Sequence, residues 1–242
     1  MRDSEANQGS RYFRKIAPAG REVQSPSIHS VGIKPCGGGS PAVPRSDGAR
    51  TAAGSLGDCS VPTHGDTAGI QHRDILMKAM LLAAGRGSRL APLTDRTPKP
   101  LLPVQGQSLI QRILGRLKQA GISEAVINTH HLGQQIEREI GDGAALGLPI
   151  HYSRESELLE TGGGIKKALP LLKDDVFMVC NGDIYTDFDF ANAPSELSKG
   201  DLAHLVLVPT PASRDSGDFD CATGRVHSRG TDYVYAGIAL IH

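Results

Sequence analysis

The chain of 242 residues is 39% hydrophobic and 21% charged, figures for a globular protein of one large or two small domains that rule out a fibrous or collagen-like chain. Its 26 lysines and arginines balance 26 aspartates and glutamates, so no overall field gathers nucleic acid or an anionic membrane, and any anion must be held locally. No apolar run approaches the ~20 residues that span a bilayer, and the N-terminus lacks the apolar core of a secretory signal, so a cytoplasmic location is expected.

Residues 1–76 contain 11 Gly, 9 Ser and 6 Pro and show no sustained period of 3.6 or 2. Such a segment buries too little apolar area to offset its ordering entropy. It is expected to be disordered, or to be a spurious extension of a reading frame that truly starts at Met77. From Met77 the pattern changes. "KAMLLAA" is a continuous apolar run suited to a buried parallel strand. "SLIQRILGRLKQAG" carries a helical stripe of Leu109, Ile110, Ile113, Leu114 and Leu117, with Ser108 and Gln111 spaced as a capping box and Gly121 as the stop. "EAVINT", "PIHYSRE" and "VFMVCNGD" read as further strands, and "GQQIEREIG" and "GGIKKALPLL" as further helices. This alternation predicts an α/β, Rossmann-like three-layer domain over 77–242 with a mostly parallel sheet. "LAHLVLVPT" and "DYVYAGIALI" add strands of a mixed or antiparallel piece. Cys36, Cys59, Cys180 and Cys221 lack zinc-site spacing and read as unpaired structural thiols.

Ligands of open α/β sheets sit beyond the carboxyl ends of the strands. The loop that leaves the first strand there, Ala83 to Thr94, has the composition of an anion nest. Gly85 and Gly87 let backbone N–H groups turn toward a ligand, and Arg89 adds a planar fork suited to phosphate oxygens. Leu90 stands where the dinucleotide fingerprint needs its third glycine, and no Gly-Lys-Ser/Thr follows, so two familiar phosphate loops are excluded. Lys99 lies between Pro98 and Pro100, which should carry its ammonium on a stiff extended segment. The same residues also fit a proline-rich surface turn with a solvated lysine.

Two later stretches fall at the same edge. In "NGDIYTD", Asp183 follows a buried strand and fits Mg2+, a hard ion that takes one or two carboxylates plus substrate phosphates; a turn aspartate is the plainer alternative. In "LLETGGGIKKAL", three glycines at a helix entrance could bind phosphate or let a flat base lie on the backbone. Glu160 argues against a polyphosphate there and is compatible with a base edge that offers an N–H.

Taken in order, these stretches resemble the sugar-1-phosphate nucleotidyltransferase family. Its Gly-x-Gly-x-Arg-Leu-x-Pro-Leu-Thr loop and Pro-Lys-Pro segment correspond to Gly85, Gly87, Arg89, Leu90, Pro92, Leu93, Thr94 and Pro98-Lys99-Pro100. "ETGGGI" and "NGDI" are most similar to the bacterial N-acetylmuramate α-1-phosphate uridylyltransferase branch, with mannose-1-phosphate guanylyltransferases and glucose-1-phosphate thymidylyltransferases as alternatives. The resemblance implies transfer of a nucleoside monophosphate from a triphosphate, UTP, to a sugar 1-phosphate, with Mg2+ as cofactor and no nucleic-acid or membrane partner. It implies that Ala84, Gly85, Gly87, Ser88 and Arg89 contact the triphosphate, with Arg89 and Lys99 as the catalytic cations. It further assigns Glu160, Gly162 and Gly163 to the base, Asn181, Tyr235 and Gly237 to the sugar phosphate, and Asp183 to the metal. The family continues past the position of His242 to a segment bearing a second metal carboxylate, so the domain is expected to be truncated at its C-terminus. A non-catalytic nucleotide-binding remnant is the corresponding alternative.

Overall fold

A computed structural model of the chain describes residues 29–33, 77–173 and 176–242. The centre is a parallel sheet built from β2 (Lys78–Leu82), β5 (Glu124–Thr129), β6 (Ile150–Arg154) and β7 (Phe177–Asn181), in the order β7-β2-β5-β6. The chain runs from β2 outward through β5 and β6, then returns to the other side of β2 with β7. That reversal leaves a crevice between the carboxyl ends of β2 and β7, where the topology of open sheets places ligands.

The three crossover helices are α1 (Leu109–Gln119), α2 (Gly133–Ile140) and α3 (Glu160–Leu172). Alternation along the strands divides the core between the two faces of the sheet. Leu81, Ile127 and Cys180 face α1 and α2 with Ile113, Leu117 and Ile136, while Met80, Val126 and Val179 face α3 with Ala168 and Leu172. Each such aliphatic side chain contributes about 1.5–3 kcal/mol by leaving water. All five residues of the α1 stripe are buried. Its start is half of the expected capping box. Ser108 Oγ accepts the Gln111 N–H at 3.4 Å, but the Gln111 amide reaches across to Glu139 instead. Its end is as expected, with Gly121 at φ 89° and the Ile122 N–H closing on Leu117 O.

α3 begins at Glu160, three residues earlier than the pattern of the expected helix, because a buried carboxylate described below accepts the Leu159 N–H and organises the first turn. Beside β7 lies β10 (Arg225–Ile241), antiparallel to it, and β8 (Ala203–Pro209) pairs with β10 on the far side. β9 (Phe219–Ala222) forms a hairpin with β10, and β3 (Pro103–Val104) pairs with β4 (Gln107–Ser108) ahead of α1. β1 (His29–Ile33) comes from the segment expected to be unstructured and runs antiparallel to β8, Val31 opposite Leu205. The physical reason is that the outer edge of β8 offers backbone donors and acceptors that a short segment can satisfy whatever its composition. The other residues of 1–76, with Cys36 and Cys59, lie outside the described residues. Among the described residues no helix is long and apolar enough to cross a membrane.

Candidate active site

A cavity of about 200 Å³ opens at the β2–β7 crevice. One wall is the loop after β2, including Ala84, Gly85 and Gly87; the opposite wall is the entrance to α3 with Leu158, Glu160 and Thr161. Asn181 and Asp183 close it from the end of β7, and Lys99 from the side.

The loop owes its shape to a small set of contacts. Gly87 sits at φ 64°, and a Cβ there would come 3.1 Å from both Lys99 Cβ and Thr94 Cγ2. A side chain would therefore be opposed both by the left-handed backbone and by its neighbours. Thr94, buried, donates its hydroxyl to Gly87 O at 3.0 Å, and its own carbonyl lies 2.9 Å from His131 Nε2. Ser88 and Arg89 occupy an exposed 3-10 turn, Ser88–Leu90, and neither borders the cavity. The expected convergence of Arg89 with Lys99 is thus absent: the turn that follows Gly87 carries Arg89 out to solvent.

Lys99 is at the cavity, but not on an extended segment. Pro98 is extended, and Lys99–Leu101 then form a 3-10 turn closed by the Leu101 N–H on Pro98 O at 2.8 Å. Pro100 fits inside that turn because its position requires no N–H donor. The turn brings Lys99 Nζ to 2.5 Å from Asp183 Oδ2, with the side chains 34% and 30% exposed. A cation from one arm and a carboxylate from the other thus meet across the mouth.

A family model described as nucleotidyl transferase matches residues 78–219, which hold the whole cavity. The chain belongs to the nucleotidyl transferase family. The family read from the glycine loop and the Pro-Lys-Pro segment is therefore the one found. The N-acetylmuramate alpha-1-phosphate uridylyltransferase of Neisseria meningitidis serogroup B is 56% identical over 172 residues, which cover 68% of this chain and 74% of that protein. The mannose-1-phosphate guanylyltransferase of Mycobacterium tuberculosis is 42% identical over 113 residues, 47% of this chain and 32% of that protein. Among solved structures, a putative glucose-1-phosphate thymidylyltransferase from Bacillus anthracis superposes with a TM-score of 0.57 at 24% identity, over 68% of this chain and 71% of that one. That likeness speaks for the fold.

In this nucleotidyltransferase the remaining predicted residues fall in two groups. Glu160 borders the cavity with φ 56°, a left-handed conformation that costs a non-glycine residue about 1–2 kcal/mol. Gly162 and Gly163 lie in the first turn of α3, outside the cavity border. On β10, Gly237 abuts the site from behind: at φ 81°, a Cβ there would lie 2.9 Å from Asn181 Nδ2. Tyr235 does not border the cavity; its backbone N–H donates to Asp218 Oδ2 at 3.0 Å, and burial, with a smaller push from Cys180, raises its phenol well above the usual range. Burial, and then the charge of Asp183, push the Cys180 thiol up to about 12, so it stays neutral and is no nucleophile.

Two buried polar residues at the cavity floor, Asn128, which lines it, and Glu155 behind it, were not among the predicted site residues. The one legible signal was Asn128 itself, an amide interrupting the apolar run of β5. Among the described residues no group of three or more His, Cys, Asp or Glu side chains could cage a metal. A hard divalent cation at Asp183, which borders the cavity, would have to take its remaining ligands from bound phosphate and water.

Proposed function

We propose that this nucleotidyltransferase transfers UMP from UTP to N-acetylmuramate 1-phosphate, releasing pyrophosphate and forming UDP-N-acetylmuramate, a cytoplasmic step of peptidoglycan recycling. The observation that carries it is the Lys99–Asp183 pair at the mouth of a cavity between a glycine loop and the α3 entrance, in a chain 56% identical to a uridylyltransferase for that sugar phosphate.

In this reading an anionic oxygen of the sugar phosphate forms a bond to the α-phosphorus, and the bond from that phosphorus to the bridging oxygen breaks, with the electron pair leaving on pyrophosphate. The attacking oxygen is already ionised, so no protein nucleophile or general base is needed. Catalysis reduces to alignment and charge neutralisation. Backbone N–H groups of Ala84, Gly85 and Gly87 take the triphosphate, with Ser88 and Arg89 meeting its outer oxygens from the exposed turn. Lys99 lets go of Asp183 and turns to the crowded α-phosphate. Glu160, Gly162 and Gly163 form the base side, while Asn181, with Tyr235 and Gly237 on the strand behind it, forms the sugar-phosphate side. Asp183 would hold Mg2+, and the bound ion would supply further neutralisation of phosphate charge.

A second base has support from the 42% identity to a guanylyltransferase. Pyrophosphate release measured with UTP, GTP and dTTP against N-acetylmuramate, mannose and glucose 1-phosphates decides between them. UTP with N-acetylmuramate 1-phosphate should give the highest kcat/KM. Preference for GTP would overturn the base assignment, and triphosphate binding without release from any sugar phosphate would overturn the reaction.

A further inference from the structure

A line of hydrogen bonds joins the two walls of the cavity through Asn128, which lines its floor with both amide atoms engaged, and Glu155 behind it. The Ala83 N–H, at the root of the glycine loop, donates to Asn128 Oδ1 at 2.7 Å. Asn128 Nδ2 donates to Glu155 Oε1 at 2.7 Å, and Glu155 Oε2 accepts the Leu159 N–H at 3.0 Å, one residue before Glu160. Asn128 is 2% exposed and Glu155 6%. The amide orientation follows from the chemistry: the Ala83 N–H is a donor, so the oxygen must face it and the NH2 must face the carboxylate. Glu155 is matched to its place because a carboxylate accepts at both ends and donates at neither. Gly164 leaves room for the pair, since a Cβ there would lie 2.7 Å from Asn128 Nδ2 and 2.8 Å from Glu155 Oε1. The left-handed turn at Glu160 sits directly on the Leu159 anchor, and such a conformation persists where its surroundings over-determine it.

We infer that Asn128 and Glu155 are positioning residues that set the distance between the phosphate wall and the base wall, and so govern affinity for the nucleoside triphosphate while leaving the sugar phosphate untouched. The inference rests on the nucleotide reading of the cavity.

The test is a donor–acceptor swap. Asn128→Asp sets two carboxylates against each other, Glu155→Gln leaves its NH2 facing a donor, either Asn128 Nδ2 or the Leu159 N–H, and the double variant restores a donor for every acceptor along the line at unchanged net charge. Each single variant, folded by cooperative melting, should raise the Kd of the Mg2+–UTP complex roughly tenfold or more and hasten amide hydrogen exchange at both Ala83 and Leu159, with the KM for sugar phosphate unchanged. The double variant should recover most of both losses, which simple core damage would not. Folded single variants with wild-type Kd, or a double variant no better than the singles, would overturn the relay. A wild-type chain that binds no triphosphate would instead sink the nucleotide reading together with the affinity claim. Exchange at Ala83 and Leu159 then separates that failure from a relay that does not exist.

Discussion

Lys99 and Asp183, 84 residues apart in the chain, hold each other at 2.5 Å across the mouth of the cavity. Neither charge is free while the pair is closed, so a phosphate that draws away the lysine also releases the carboxylate for a cation. Metal and nucleotide are therefore expected to bind with strong mutual reinforcement. Lys99→Met should tighten Mn2+ binding measured without nucleotide, because the competitor for Asp183 has gone. Weaker or unchanged Mn2+ binding in that variant would refute the competition.

In the proposed reaction the same lysine would act where charge accumulates. Lys99→Ala should lower kcat by about 100-fold or more while changing UTP affinity only a few-fold, the pattern of a group that is worth most in the transition state. Equal losses in binding and rate would remove it from that role.

Asp183→Asn keeps the shape of the side chain and removes its charge. The half-saturating Mg2+ concentration should rise about tenfold or more, since a hard ion loses its protein anion. An unshifted magnesium titration would mean that the metal, if used, is held elsewhere.

Gly237→Ala probes the proposed sugar side. The methyl group must adopt φ 81° and come 2.9 Å from Asn181 Nδ2, so about 1–2 kcal/mol of stability should be lost. Displacing Asn181 should raise the KM for sugar phosphate more than that for UTP. The reverse order would place Asn181 on the nucleotide.

His204 on β8 gives the pH dependence of stability. Burial lowers its pKa from 6.5, against a smaller opposing pull from Asp201, and its Nε2 has no hydrogen-bond partner among the described residues. The unfolded chain therefore takes up the proton first, so stability contributed by the neutral ring is complete above 6.5 and is lost as the pH falls below that value. Denaturant midpoints should drop between pH 7.5 and 5.5, and His204→Gln should flatten that drop. An equal slope in the variant would assign the acid sensitivity to other groups.

Local patterns in the sequence determined which segments become which elements, because the apolar stripe of α1 and the runs of β2, β5 and β7 have one way to leave water. They also marked the glycine loop and Asp183, which border one cavity in the fold, since glycine, proline and charge at these spacings reflect local backbone and ligand chemistry. Which charges actually meet was settled by the tertiary structure. A 3-10 turn carries Lys99 to Asp183, while its expected companion Arg89 lies on an exposed turn. The Asn128–Glu155 relay and the addition of His29–Ile33 to the edge of β8 belong to the same class. Each depends on groups brought together by the sheet order across long stretches of chain, and a hydrogen bond or ion pair, effective only within about 3–4 Å, leaves no trace in the spacing of residues along the chain.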